Sequence, residues 1–238
     1  MSDFSIRSTE PELMDDLSLD ETHLKQVLLD IDRSNRFLNG NHLTIQAISR
    51  LISGKNHKSY TILDMGCGNG SMLRAVVLWA RKQNISVSCI GVDLNEKSLE
   101  IAREDSQNYP EIQYWKQDIL QLTPDKLKCD ILLCTLTMHH FRNEQIPQFL
   151  NQFSNLSRIG FIINDLHRST MAYHLFKLFS TIFIRTDIAK KDGLISIKSG
   201  FSKEDLTGFS DKLPDMKHTI QWKWAFRYIW VAEQKLPI

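Results

Sequence analysis

The run Thr61-Ile62-Leu63-Asp64-Met65-Gly66-Cys67-Gly68-Asn69-Gly70 constrains this chain more than any other. A short apolar stretch ends in a carboxylate, three alternating glycines follow, and a helix-like stretch runs from Ser71 to Lys82. Glycine at that density marks a backbone that turns sharply and lies against a neighbour, because a residue without a β-carbon reaches positive φ at little cost. The next apolar run, Ser86 to Val92, ends in Asp93. Strand, glycine loop, helix and strand, with a second acid about twenty residues past the glycines, is the layout of a nucleotide-binding crevice.

Charge and spacing narrow the nucleotide. A helix N-terminus that holds a pyrophosphate avoids a neighbouring carboxylate, yet Asp64 lies just before Gly66. The glycines read GxGxG, with Ser71 in the last place of the longer dinucleotide pattern, and no Gly-Lys-Ser/Thr follows to make a P-loop. A carboxylate at this position suits a ligand with no phosphates and some positive charge, such as S-adenosylmethionine with its sulfonium, ammonium and ribose.

At these residues the chain resembles the class I S-adenosylmethionine-dependent methyltransferases. Asp64 to Gly70 is similar to the family's first motif, Gly91-Val92-Asp93 to its second, Gln117-Asp118-Ile119 to its third and Cys129 to Thr135 to its fourth, in order over roughly residues 55–165. The resemblance implies a cofactor site of Asp64, Gly66, Cys67, Gly68, Gly70, Asp93, Leu94, Asp118, Ile119 and Thr135. Within it Asp93 would chelate the ribose hydroxyls and Asp118 would meet the adenine amino group. The cofactor would be S-adenosylmethionine and the product S-adenosylhomocysteine. Each position also has a plainer use: glycine turns serve packing, Asp93 fits a helix N-cap and Asp118 an ordinary turn.

The outer segments extend the resemblance. Glu12-Leu13-Met14-Asp15, Leu28 to Arg36, Asn164-Asp165-Leu166-His167-Arg168, and Asp192-Gly193 with Ser196 are similar to a bacterial subgroup of small-molecule methyltransferases from quinone, phenolic-lipid and polyketide pathways. The lysine-rich run Thr186 to Lys191 departs from that pattern.

Length and composition set the frame. With 238 residues the chain can build one sizeable core with appended helices, and 42% apolar with 24% charged residues is the balance of a soluble globular protein. A net charge of +1 implies no general attraction to nucleic acid or an anionic membrane. The first residues are polar and acidic rather than a signal peptide, and no apolar stretch is long enough to span a membrane. Cys67, Cys89, Cys129 and Cys134 form no CxxC pair, so reduced thiols in a cytoplasmic protein and no metal site are expected.

Strand-like runs at Tyr60–Leu63, Val87–Val92, Ile112–Trp115, Ile131–Cys134 and Ile159–Ile163 alternate with helical stretches. That alternation predicts an α/β fold with a doubly wound, mostly parallel sheet. His218–Trp224 and Ala225–Val231 read as a terminal antiparallel pair, which matches the reversed C-terminal strand of the seven-stranded methyltransferase sheet. Residues 1–54 read as an N-terminal helical cap of the same domain, and residues 55–238 as the S-adenosylmethionine-binding part. Met171, Leu175, Leu178, Phe179 and Ile182 share a helix face that fits core packing or the wall of an apolar substrate pocket.

Methyl transfer from a sulfonium needs alignment above all, and a hydroxyl acceptor also needs a base. Histidines beyond strand ends suit that role. His140 and His167 are the leading candidates, with Asp165 to orient one of them. His139, Arg168 and Tyr173 are candidates for the substrate, with His174 beside them, and Asp15 and Arg36 for a lid. Packing and surface roles compete at each position. The leading expectation is an O-methyltransferase acting on a small, largely apolar phenol, quinol or polyketide, with C- or N-methylation as the alternative. A nicotinamide-dependent oxidoreductase and a cofactor-binding pseudoenzyme are the other classes. A small-molecule acceptor is the expected partner; no nucleic acid is, and the oligomeric state stays open.

Overall fold

The computed structural model describes residues 4–16, 18–55, 57–122 and 127–235. Helix α1 (Glu21–Phe37) begins at Asp20, whose carboxylate accepts a hydrogen bond from the His23 amide, and α2 (Gly40–Ile52) follows a tight corner at Asn39 with φ 59°. Strands and helices then alternate: β1 (Ser59–Met65), α3 (Ser71–Lys82), β2 (Ser86–Asp93), α4 (Glu96–Asp105), β3 (Ile112–Lys116), β4 (Cys129–Thr135), α5 (Ile146–Leu156) and β5 (Ser157–Leu166). Three helices follow, α6 (Thr170–Phe183), α7 (Asp187–Ser199) and α8 (Lys203–Ser210). The hairpin β6 (Met216–Lys223) and β7 (Arg227–Gln234) closes the chain.

The described residues form one seven-stranded sheet in the order β3-β2-β1-β4-β5-β7-β6. β1 pairs in parallel with both β2 and β4, whereas β7 is antiparallel to its neighbours β5 and β6. The chain winds outward from β1 to β3 and returns to β4 on the other side. The order therefore reverses between β1 and β4, and a crevice opens beyond their carboxyl ends. β4 is almost wholly buried, as a strand covered by helices on both faces must be. Phe149, Phe153, Phe161 and Trp230 fill one face of the sheet; Ile48, Leu73, Val76 and Ile162 fill the other.

The N-terminal helices are built into this core. Ala47, Ile48 and Leu51 of α2 pack on the sheet, while Leu24 and Leu28 of α1 meet Ile101 of α4. The buried Asp30 carboxylate of α1 accepts bonds from the Arg185 amide at 3.0 Å and the Thr186 amide at 2.8 Å, fastening α1 to the link between α6 and α7.

Two elements differ from the sequence expectation. β5 runs on through Leu166, so Asn164 and Asp165 are strand residues rather than loop residues. The terminal hairpin turns at Trp224–Phe226, with Phe226 at φ 54°, so Ala225 belongs to the turn. A turn without glycine, proline or asparagine leaves no local signal in the sequence.

Candidate functional site

The glycine loop crosses the switch point. Amides of Gly66 and Cys67 donate to Val92 O at 2.8 and 3.1 Å, which moors the loop to β2. The three glycines serve different ends. A β-carbon on Gly66 would lie 2.4 Å from the Thr137 side chain, and one on Gly70 would lie 2.0 Å from the Tyr114 hydroxyl, so both glycines answer to protein packing. Gly68, at φ +52°, would meet nothing nearer than Leu28 at 3.8 Å, because its open side faces a cavity.

That cavity has a volume of about 370 Å³ and runs from the loop, past the end of β4, into a chamber under α1, α6 and α7. Asp64, Gly66, Cys67, Gly68 and Thr135 line its loop end. Ile31, Phe176, Phe179 and Ile184 line the far end, with Leu28 reaching back to Gly68. Asp64 is buried, and its Oδ1, like Thr135 Oγ1, has no hydrogen-bond partner. Burial, with the Asp93 charge added to it, raises the Asp64 pKa to about 7. A buried carboxylate oxygen left free on a ligand-sized cavity wall is suited to a cationic group.

Asp93 lies outside the cavity lining but is tied to the loop. Its Oδ2 accepts from the Gly68 amide at 2.9 Å and its Oδ1 from the Asn95 amide at 2.9 Å. The N-cap of α4 is Asn95, which frees Asp93 from that role. Burial raises the Asp93 pKa against those amide bonds. Its neighbour Leu94 is exposed. Asp118 caps a short 3-10 turn, accepting from the Leu120 amide at 2.9 Å and Gln121 Nε2 at 3.0 Å, and Ile119 is buried beneath it; neither lines the cavity.

Between the loop end and the apolar chamber the cavity wall is ionic. His139 is buried, with Nδ1 at 2.7 Å from Asp165 Oδ1 and Nε2 at 3.2 Å from Glu12 Oε1. Burial alone would lower the His139 pKa; the Asp165 charge and hydrogen bond, with those of Glu12, outweigh it and raise it to about 10. The His139 charge in turn holds the Asp165 carboxyl below its ordinary value against burial. The His140 ring stacks on His139 at 4.4 Å, and its Nδ1 lies 3.0 Å from Asp15 Oδ2.

The N-terminal segment is held down to complete this wall. Asp192 of α7 accepts from the Leu13 and Met14 amides at 2.8 and 2.9 Å, and Ser196, one turn on, donates its hydroxyl proton to Glu12. A β-carbon on Gly193 would sit 2.2 Å from the Phe176 ring, so glycine there lets α6 and α7 close against each other. Arg7 adds bonds to Ser199 O, His139 O and Phe141 O.

The remaining candidates fall elsewhere. Arg168 is buried in a structural knot, donating to Phe4 O, Gly200 O and Asp205 Oδ2, and Tyr173 packs edge-on against Phe4; neither lines the cavity. His167 accepts a hydrogen bond at Nδ1 from Trp222 Nε1 at 3.2 Å, also outside the cavity. His174 and Arg36 are exposed. Asp165 reaches the site only through His139. Sequence reasoning did not single out Glu12, Asp192 or Ser196 as site residues, although all three sat inside the segments that carried the subgroup resemblance. Arg227, joined at 2.7 Å to Asn35 on the cavity wall, gave no signal, whereas Asn35 sat in the Leu28 to Arg36 segment.

Residues 62–160 match the family model described as a methyltransferase domain. Among curated proteins, the chain is 33% identical over 89 residues to a ubiquinone biosynthesis O-methyltransferase of Coxiella burnetii, covering 37% of this chain and 36% of that one. It is 23% identical over 115 residues to a ribosomal protein L11 methyltransferase of Fusobacterium nucleatum, covering 47% and 35%. The match thus spans about a third of the length of these curated relatives. Among solved structures, the plantazolicin methyltransferase BpumL in complex with SAH aligns with a TM-score of 0.67 at 15% identity over 94% of both chains. With its doubly wound seven-stranded sheet the chain shares the fold of that methyltransferase, and residues 62–160 carry the methyltransferase-domain match.

Proposed function

We propose that this chain transfers a methyl group from S-adenosylmethionine to a hydroxyl of a small, largely apolar acceptor, such as a phenol, quinol or hydroxylated polyketide. The observation that carries this reading is the single cavity that joins Asp64 and Gly68 to an apolar chamber through a wall of titratable side chains. Asp64, Thr135 and the open side of Gly68 are the groups that would hold the cofactor, and the free Asp64 Oδ1 fits its positive charge. When bound, the sulfonium supplies a methyl group already activated for displacement.

The chain's own work is alignment and proton removal. Leu28, Ile31, Phe176 and Phe179 would seat an apolar ring and keep water from the acceptor oxygen. His140 is the proton acceptor in this reading: it lines the cavity and Asp15 orients its Nδ1. His139 cannot share that role, since both its nitrogens lie within hydrogen-bond reach of buried carboxylates and it holds its proton, whereas His140 Nε2 stands 3.9 Å from Glu12. His139 acts as a positioning cation that fixes Glu12 beside His140. The ubiquinone-pathway O-methyltransferase among the relatives supports a hydroxyl acceptor.

The test is methyl transfer from labelled S-adenosylmethionine across a panel of phenols and quinols. Label on the oxygen of an apolar member is the expected result. Label on carbon or nitrogen instead would overturn the hydroxyl assignment while leaving the transfer reading in place.

A further inference from the structure

Helix α6 is apolar on more than one side. Ala172, Phe176 and Phe179 face inward and line the cavity, which accounts for one stripe. Met171, Leu175, Leu178 and Ile182 recur at i, i+4, i+7 and i+11, a second stripe, and they are 62%, 44%, 64% and 69% exposed. With Phe179 these are the residues whose periodicity suggested core packing or a pocket wall; Phe179 and Leu175 line the cavity, while Met171, Leu178 and Ile182 face solvent. Phe183 at the end of the helix is also exposed, and its ring packs at 5.1 Å on Phe37 of α1, itself 64% exposed. The patch continues to the cavity: Leu175 is at once part of the stripe and of the cavity lining, and Trp224 on the hairpin turn, 65% exposed, lines the same cavity. Scattered exposed apolar residues need no explanation, but a contiguous patch at a cavity mouth marks a surface that meets something.

Charge says what it meets. From Leu166 to Thr186 the sequence holds no acidic residue. Lys177 and Arg185 in that stretch, with Arg36 beside Phe37, are exposed and make no ion pair with a described residue. The next acid, Asp187, is paired with Lys190 at 3.2 Å. A helix lying flat, with large apolar side chains outward and lysine and arginine flanking them, has the form of an interfacial anchor on a negatively charged bilayer. The net charge of +1 hides this because it averages the α6 face against acids elsewhere.

We propose that the outer stripe of α6, with Phe37 and Trp224, docks this protein on an anionic lipid bilayer, with the cavity mouth turned to the lipid. No described helix is long and apolar enough to cross a membrane, so the contact is interfacial. This deepens the proposed function and rests on it in one respect: an apolar acceptor dissolved in the bilayer enters the chamber between Leu175 and Trp224 without crossing water.

The test is co-sedimentation of the full chain with vesicles of phosphatidylcholine alone and with roughly one third phosphatidylglycerol. The wild type sediments with the anionic vesicles and far less with the neutral ones. Leu178→Glu with Ile182→Glu, at positions outside the cavity lining, lowers partitioning by on the order of tenfold or more, with S-adenosylmethionine binding unchanged as the control for folding. Lys177→Glu with Arg185→Glu removes the preference for anionic vesicles. Wild type that stays in the supernatant with both vesicles overturns the proposal. So does a stable dimer by light scattering that Leu178→Glu with Ile182→Glu converts to monomer without any vesicle effect, since a second copy would then cover the patch. Either result leaves methyl transfer to water-soluble phenols standing, which separates this failure from failure of the proposed function.

Discussion

His139 Nδ1 lies 2.7 Å from Asp165 Oδ1 in a fully buried setting, and the opposite ring nitrogen faces Glu12. One imidazolium thus balances two buried carboxylates from distant parts of the chain. Replacing it with glutamine leaves those charges uncompensated and should destabilise the fold by about 3–5 kcal/mol. The sign with pH follows from the raised pKa. His139 is protonated in the fold up to about 10, against an ordinary value of 6.5. Its stabilisation is complete below the ordinary value and fades as pH rises toward 10. Chemical denaturation of wild type and His139→Gln should therefore show a gap that narrows between about pH 6 and pH 9; a gap that widens would contradict the imidazolium assignment.

Both histidines line the cavity, but the His140 side chain is 28% exposed against 3% for its stacked neighbour His139. His140→Ala should leave the denaturation midpoint nearly unchanged while lowering kcat about 10²–10⁴-fold, as loss of a general base does. Loss of affinity for the acceptor at full kcat would make it a binding residue instead. His167→Ala, outside the cavity, is the control and should keep wild-type turnover.

The glycine loop offers a separation of packing from binding. Gly70→Ala drives a β-carbon into the Tyr114 hydroxyl at a φ of +74°, and clash and backbone strain together should cost about 2–5 kcal/mol of stability. Gly68→Val meets no protein clash, so the strain of its positive φ should cost only about 1–2 kcal/mol, while its side chain fills the cavity and cofactor binding is lost. Denaturation curves and calorimetric titrations on both variants check this. Wild-type affinity in Gly68→Val would mean that the cofactor does not approach the loop at that point.

What the sequence made legible was local. The run from Leu63 to Lys82 declares strand, turn and helix within twenty residues, and the alternation after it fixes the doubly wound sheet with β7 reversed. The need for glycine at Gly66 and Gly70 could be read, but its cause could not, because Thr137 arrives from the loop after β4 and Tyr114 from β3, both far along the chain. The Glu12–His139 contact joins residues 127 apart, a pairing no periodicity reveals. The α6 stripe shows a further limit: helical spacing tells which residues share a face, not what that face meets. Arg168 and Tyr173 looked like substrate ligands from their place after β5, yet the segment around Phe4 covers them.

The central claim is that the cavity beside Asp64 holds a positively charged adenosine cofactor, and calorimetric titration of S-adenosylmethionine across pH tests it most directly. Asp64 holds its proton to about 7 in the ligand-free fold, against an ordinary value of 3.8, so its burial lowers stability as pH rises between those values. Asp64→Asn should accordingly stabilise the ligand-free protein near pH 8 by on the order of 3 kcal/mol. A cation beside Asp64 favours the ionised form. Binding should then release a proton, strengthen by up to about tenfold per pH unit below the Asp64 pKa and level off above it, and Asp64→Asn should bind weakly with no such dependence. Absence of heat with both S-adenosylmethionine and S-adenosylhomocysteine across that range would contradict the account.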